Sequence, residues 1–79
     1  MILLKMGSAS DDVRKLQEML NVVITTTPPL QTDGIFGPKT QARVVQFQTI
    51  STLKPDGIVG PVTSKALVAA VLAATLKPW

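Results

Sequence analysis

Asp33 and Asp56 are the residues whose type and repetition could do chemistry. Two carboxylates flanking one sugar linkage are the working parts of glycoside hydrolysis, one as acid and one as base or nucleophile. The remaining acids are Asp11, Asp12 and Glu18, and the chain has no His and no Cys. The common general base, thiol nucleophile and zinc ligands are therefore missing, and nothing predicts a metal or a cofactor. The glycines lack the spacing and the lysine of a phosphate-cradling loop. What Asp33 and Asp56 share is the same place in a phrase that occurs twice, DGIFGPKT from Asp33 to Thr40 and DGIVGPVT from Asp56 to Thr63. That shared turn position makes both structural first, so the sequence predicts no catalytic residue and no enzyme.

The two copies start 23 residues apart and agree at six of eight positions. The interval holds one short helix and a connection, which predicts one structural unit used twice. In each copy Asp-Gly reads as a turn, Asp bonding the backbone just ahead and Gly accepting a positive φ. The apolar pairs Ile35-Phe36 and Ile58-Val59 are expected to dip into a core. Gly37 and Gly60 fall where a helix N-cap belongs, and Pro38 and Pro61 suit the first helical position, where no N–H is needed. Thr40 and Thr63 land in the first helical turn, where a hydroxyl can satisfy orphan N–H groups. Asp33, Gly34, Gly37, Asp56, Gly57 and Gly60 are thus the predicted structural turn residues.

Taken in order, residues 1–10 read as an apolar lead-in and a Gly-Ser-Ala-Ser connection. Ser10 or Asp11 can cap a first helix over about 11–21, with Asp11 and Asp12 at its positive end. Val13, Leu16, Gln17 and Leu20 follow helical spacing, with Gln17 at the edge of the apolar stripe and Asn21 as the stop. Val22–Thr32 is β-branched and carries Pro28-Pro29, so an irregular or strand-like loop is expected, with a short strand pair as the other outcome. A second helix over 38–50 has Val44 and Phe47 as its clearest core residues. A third over 61–76 draws its bulk from Leu67, Val68, Val71 and Leu72 with alanines between them. It is apolar nearly all round, more than a three-helix domain needs, so one side could meet another protein or a second copy. Trp79 is expected to fold back or join an interface.

The phrase D-G-x-[FVI]-G-x-x-T followed by an apolar helix, twice, resembles the signature of the small three-helix peptidoglycan-binding domain. Val13-Arg14-x-Leu16-Gln17-x-x-Leu20, Val44-x-x-Phe47-Gln48 and Ala66-Leu67 are similar to the family at its first, second and third helices, and the likeness runs from about Leu4 to Leu72. The resemblance implies an all-α fold, a small three-helix orthogonal bundle with two equivalent turn-helix repeats in one domain over 1–79. It implies a shallow groove near the two loops that hydrogen-bonds the N-acetyl groups and peptide stems of peptidoglycan. Arg43, Lys39 and Lys65 would suit stem carboxylates, while Thr40, Gln41 and Thr63 offer neutral hydrogen bonds. Three positions depart from the pattern: Arg43 replaces a small residue, Thr52-Leu53 stands where Gly-Leu is common, and Ser64 stands where Trp often follows the second Thr. Arg43 must either reach solvent with its stem along apolar surface or project into the groove as a cation.

Seventy-nine residues make one domain with a small core, since a chain this short buries only about 60% of its unfolded surface. Hydrophobic residues at 46% against 16% charged argue for a globular fold. The net charge of +3 comes from scattered basic residues and favours an anionic partner only weakly. Met1–Leu4 is too short for a signal-peptide core, and Ala66–Ala74 is far below the roughly 20 residues that span a bilayer. A soluble chain is expected, without a membrane span, either exported by other means or forming one domain of a longer protein. The resemblance places it outside the cell, in the periplasm or at the wall.

Three functions follow. The first is non-catalytic peptidoglycan binding that targets an attached or partner hydrolase to the wall. The second is a protein-interaction or assembly module docking through the apolar third helix, including self-association. The third, a small DNA-binding domain, needs a helix presenting several basic or amide groups to a groove. Helix two offers Lys39, Gln41, Arg43 and Gln46, but helix three offers only Lys65, so no nucleic-acid partner is predicted.

Overall fold

The computed structural model describes residues 3–76, so the expected packing of Trp79 lies outside the described residues. Three helices build the molecule: α1 (Asp11–Val23), α2 (Pro38–Ile50) and α3 (Pro61–Thr75). It is an all-α three-helix bundle in which α1 packs on both α2 and α3. Among the described residues the only sheet-like pairings are two isolated antiparallel bridges, Leu4 with Val59 and Ala9 with Ile35.

Each helix start has a local cause. Ser10 caps α1, its Oγ accepting from the Val13 N–H at 3.3 Å, and Asp11 and Asp12 lie against the positive end of the helix dipole. Gly37 and Gly60 are the N-caps of α2 and α3 in extended conformation, each followed by proline at the first helical position. Asn21 does not stop α1, which runs on to Val23. Its amide leaves the helix sideways instead, accepting from the Leu30 N–H at 2.7 Å and donating to the Leu30 carbonyl at 3.1 Å. Of the stretch expected to be irregular or strand-like, Val22 and Val23 instead close α1, and 24–32 forms no strand and follows an irregular path.

The core gathers Val13, Leu16 and Leu20 from α1, Val44 and Phe47 from α2, Leu67 from α3, and Phe36 and Val59 from the repeated loops. Only the second member of each apolar pair is inside: Phe36 and Val59 are buried, whereas Ile35 is 59% and Ile58 37% exposed. Extended backbone sends successive side chains to opposite faces, so the pair cannot enter the core together. The N-terminal segment stitches the two loops at those equivalent positions. Leu4 exchanges both backbone bonds with Val59, while Ser8 O and Gly7 N bond Phe36 N and O.

The third helix departs most from expectation. Leu67 is buried and Ala66 and Ala70 pack beside it, but Val68 and Leu72 are 47% and 52% exposed. With apolar residues on every side, periodicity carries no information about which face is inside.

Candidate functional site

The repeated loops are each tied down by one buried glutamine. Gln17 of α1 donates through Nε2 to Asp33 Oδ1 (3.1 Å), the Ile35 carbonyl (3.0 Å) and Thr40 Oγ1 (3.1 Å), while its Oε1 accepts from the Gly34 N–H at 3.0 Å. Gln48 of α2 repeats the pattern on the second loop, with Asp56 Oδ1 at 3.0 Å, the Ile58 carbonyl at 3.0 Å, Thr63 Oγ1 at 3.1 Å and the Gly57 N–H at 3.0 Å. An amide nitrogen has two hydrogens for these three acceptors, so at least one is shared. Both glutamines are 1% exposed, so Gln17 sits inside the core and not at the edge of the stripe. A buried amide is tolerated because every one of its polar atoms is engaged.

The aspartates complete the knot. Asp33 and Asp56 each accept the N–H two residues ahead, from Ile35 and Ile58 at 3.0 Å. That backbone bond is the main reason both carboxyls titrate below the ordinary aspartate range, with the glutamine amide adding to it. A carboxyl held as an acceptor by a turn is a poor proton donor, which removes the acid that a glycosidase pair would need.

Thr40 and Thr63, expected as neutral ligand contacts, are 4% and 6% exposed and accept from the glutamines instead of serving orphan N–H groups. Each still lines the cleft beside its own loop, with its hydroxyl engaged by the glutamine. Gln41 is half-buried over the second loop, where a Cβ on Gly57 would come within 3.0 Å of its Cγ. Lys65 is exposed on α3 and lines none of the clefts described here.

Lys39 and Arg43 are brought together. They sit one turn apart on the outer face of α2 and line a cleft of ≈ 360 Å³, closed on the other side by Pro28, Pro29, Leu30 and Gln31. Arg43 donates from Nη2 to the Pro28 carbonyl at 2.9 Å, so it braces the loop that faces it. Its Nη1 is buried and has no hydrogen-bond partner. Neither cation has an acidic partner; among the described residues the ion pairs belong to Arg14, with Asp11 and Glu18. Gln31 and the Pro28 wall were not singled out by the sequence, because a loop without periodicity gives no sign of what it faces.

A second cleft of ≈ 390 Å³ adjoins the first through Leu30, Gln31 and Lys39 and ends at Asp33 and Ile35. The second repeat has the counterpart of this one, of ≈ 330 Å³, lined by Leu53, Lys54, Asp56, Ile58, Pro61 and Val62 among others. The cation pair is not repeated: Val62 and Ala66 stand 23 residues after Lys39 and Arg43. A further cleft, ≈ 410 Å³, is the seam between α1 and α3, floored by the core residues Leu4, Leu16, Val59 and Leu67 and rimmed by Asp12, Lys15, Met19 and Ser64. Among the described residues no group of three or more His, Cys, Asp or Glu could hold a metal. None of the described helices is long and apolar enough to cross a membrane.

The bundle, its repeated loops and its groove define a class, and comparison with known proteins puts a family to it. The profile of the peptidoglycan binding domain matches residues 9–67, and the chain belongs to that family. The crystal structure of the SleB N-terminal domain superposes with a TM-score of 0.81 at 30% identity, covering 89% of this chain and 93% of that one. A fused Zn-dependent amidase/peptidase/peptidoglycan-binding domain-containing protein from Clostridium acetobutylicum ATCC 824 superposes with a TM-score of 0.76 at 33% identity, covering 84% of this chain. The chain spans 28% of the length of that multidomain protein. No curated protein matches the chain in sequence. The family is one of cell-wall binding modules, consistent with a wall or extracellular setting.

Proposed function

We propose that the chain is a non-catalytic peptidoglycan-binding module that holds an attached or partner hydrolase at the wall. The observation that carries the reading is the groove along the first repeat, from Asp33 past Lys39 to Arg43, on a chain of the peptidoglycan-binding family. Gln31, Lys39 and Arg43 supply hydrogen-bond donors along it, and Ile35 adds an exposed apolar contact at its end. Among the described residues it has no aromatic platform for sugar stacking, since Phe36 and Phe47 are in the core. Polar capture of N-acetyl and peptide groups suits these walls better. The D-G-x-[FVI]-G-x-x-T phrase then acts as scaffold, its knots fixing the groove wall while the side chains beside it meet the polymer.

The tethering role follows from effective concentration. A weak site on an insoluble polymer keeps a joined active site near its substrate without any new contact. The fused amidase from Clostridium acetobutylicum carries both parts in one chain, which supports the same arrangement here.

The test is co-sedimentation of the purified chain with insoluble peptidoglycan sacculi, with cellulose as control. Selective pelleting with sacculi is the expected result. A folded chain that stays in the supernatant with both polymers contradicts the reading.

A second reading is favoured by one feature, the exposed stripe of Val68 and Leu72 on α3 and Leu76 at its C-cap, at 47%, 52% and 76% exposure. It makes the chain an assembly module that docks through α3. Concentration-dependent dimerisation that Leu72→Glu abolishes would support it.

A further inference from the structure

We infer that the cleft between α2 and the Pro28–Gln31 wall is a carboxylate subsite, and that the wall component it reads is the peptide stem and not the glycan. The inference rests on the wall-binding reading and specifies which chemistry of the polymer is recognised.

Lys39 and Arg43 lie four residues apart on one helix face and share a cleft that contains no acidic residue. Two like charges on adjacent turns repel, so without a counter-charge the arrangement costs α2 stability. The acidic side chains of the described residues do not answer it: the nearest along the groove is Asp33, whose Oδ1 is taken by the Ile35 N–H and the Gln17 amide. An anion seated between Lys39 and Arg43 satisfies both cations at once.

Arg43 is fixed on one side by the Pro28 carbonyl, which uses Nη2 and leaves a planar fork with donors to spare. Buried side-chain polar atoms without partners are few in the described residues: Arg43 Nη1 and Thr27 Oγ1, the latter next to Pro28. Thr27 is not among the residues lining the cleft, whereas Arg43 is, and an acceptor brought by a ligand would satisfy its unmet donor. A planar carboxylate matches the guanidinium fork and adds the Lys39 ammonium as a point charge. Peptide stems carry carboxylates, whereas N-acetylated glycan hydroxyls are neutral.

The repeat provides an internal comparison. Helix α3 starts from the same knot as α2, but Val62 and Ala66 replace the two cations. Sixteen residues separate Gln17 from Asp33 where eight separate Gln48 from Asp56, and the surplus supplies the Pro28–Gln31 wall. Loop and cations occur together in one repeat and are both missing from the other. The scaffold needs neither, since the second repeat folds without them.

The test uses the whole chain and soluble muropeptides released from sacculi, compared with the same muropeptides after amidation of their carboxylates and with stem-free N-acetylglucosamine oligomers. Calorimetric titration should show binding to the free-acid muropeptides that Lys39→Gln and Arg43→Gln each weaken by about tenfold, the loss of one charge-assisted hydrogen bond. Amidation should weaken wild-type binding to a similar extent, and Lys5→Gln, remote and exposed, should have no effect. Lys39 makes no hydrogen bond that holds the fold together, so its variant separates recognition from loop bracing. Retained sacculus and muropeptide binding that neither amidation nor Lys39→Gln changes would overturn the carboxylate subsite while leaving the wall-binding module intact. Absence of binding to both sacculi and muropeptides by the folded wild type would overturn both.

Discussion

Gln48 Nε2 stands 3.1 Å from Thr63 Oγ1, and Gln17 Nε2 stands at the same distance from Thr40 Oγ1. Each bond ties the helix before a loop to the helix after it, so one amide fixes turn, loop and helix start together. The two repeats are alike because each needs one such amide.

Removing that amide should cost more than its size implies. Gln48→Ala leaves the buried Gly57 N–H without its acceptor and the Ile58 carbonyl without its donor. A loss of about 2–4 kcal/mol is expected, combining unmet polar groups with a cavity. Gln48→Glu keeps the shape but turns a donor toward Asp56 into a second acceptor, and should destabilise at neutral pH and partly recover when acidified. Urea unfolding of both variants measures this.

Acid should loosen the knots. The bonds from the Ile35 and Ile58 N–H groups favour the charged carboxylates, so the folded-state pKa of Asp33 and Asp56 lies below the ordinary 3.8. A depressed pKa gives stability that is complete above the unfolded value and is lost as pH falls through the folded one. Urea midpoints should therefore drop below about pH 4, and the double variant Asp33→Asn/Asp56→Asn should show a shallower decline over that interval. A decline identical to wild type would contradict this account.

Thr52 is the position where a substitution should help. It follows the α2 C-cap at φ 56°, the left-handed conformation that β-branched residues disfavour, with the Leu53 N–H returning to the Gln48 carbonyl at 2.7 Å. Thr52→Gly should stabilise by about 1 kcal/mol, relief of strain outweighing the added freedom of the unfolded chain. Gly34→Ala should do the reverse. At φ 77° its new Cβ would sit 3.1 Å from the Ser10 carbonyl oxygen, for a loss of about 1–3 kcal/mol. Thermal denaturation of both variants checks the pair of signs.

Asn21 links stability to the groove. Its amide pairs with both backbone groups of Leu30, and Leu30 lines both halves of the groove. Asn21→Ala should cost about 1–2 kcal/mol and also weaken sacculus binding, because the wall opposite Lys39 is no longer held. Comparing unfolding with pelleting separates the two effects.

The elements that could be read from sequence are those set by neighbours along the chain. Gly37-Pro38 and Gly60-Pro61 mark helix starts through an N-cap and a residue that needs no N–H, both local requirements. Gln17 was harder to read, because periodicity scores an amide as polar while its burial depends on partners 16 to 23 residues away. Asn21 looked like a helix end for the same reason: its partner at Leu30 is across a loop. On α3 the pattern is silent, and Val68 and Leu72 face outward although their types suit a core. For the site, Lys39 and Arg43 were legible as cations four apart, but Thr40 and Thr63 were drawn inward by the knots, and the facing wall at Pro28–Gln31 has no sequence pattern of its own.

The central claim is that the first-repeat groove is the surface that meets peptidoglycan. Mapping backbone amide shifts in the folded chain during titration with soluble peptidoglycan fragments tests it most directly. The account predicts perturbations concentrated at Gln31, Lys39 and Arg43, with the equivalent positions Lys54, Val62 and Ala66 little changed. Perturbations confined to the Val68–Leu76 face, with residues 28–43 unmoved, would contradict it and transfer the function to α3.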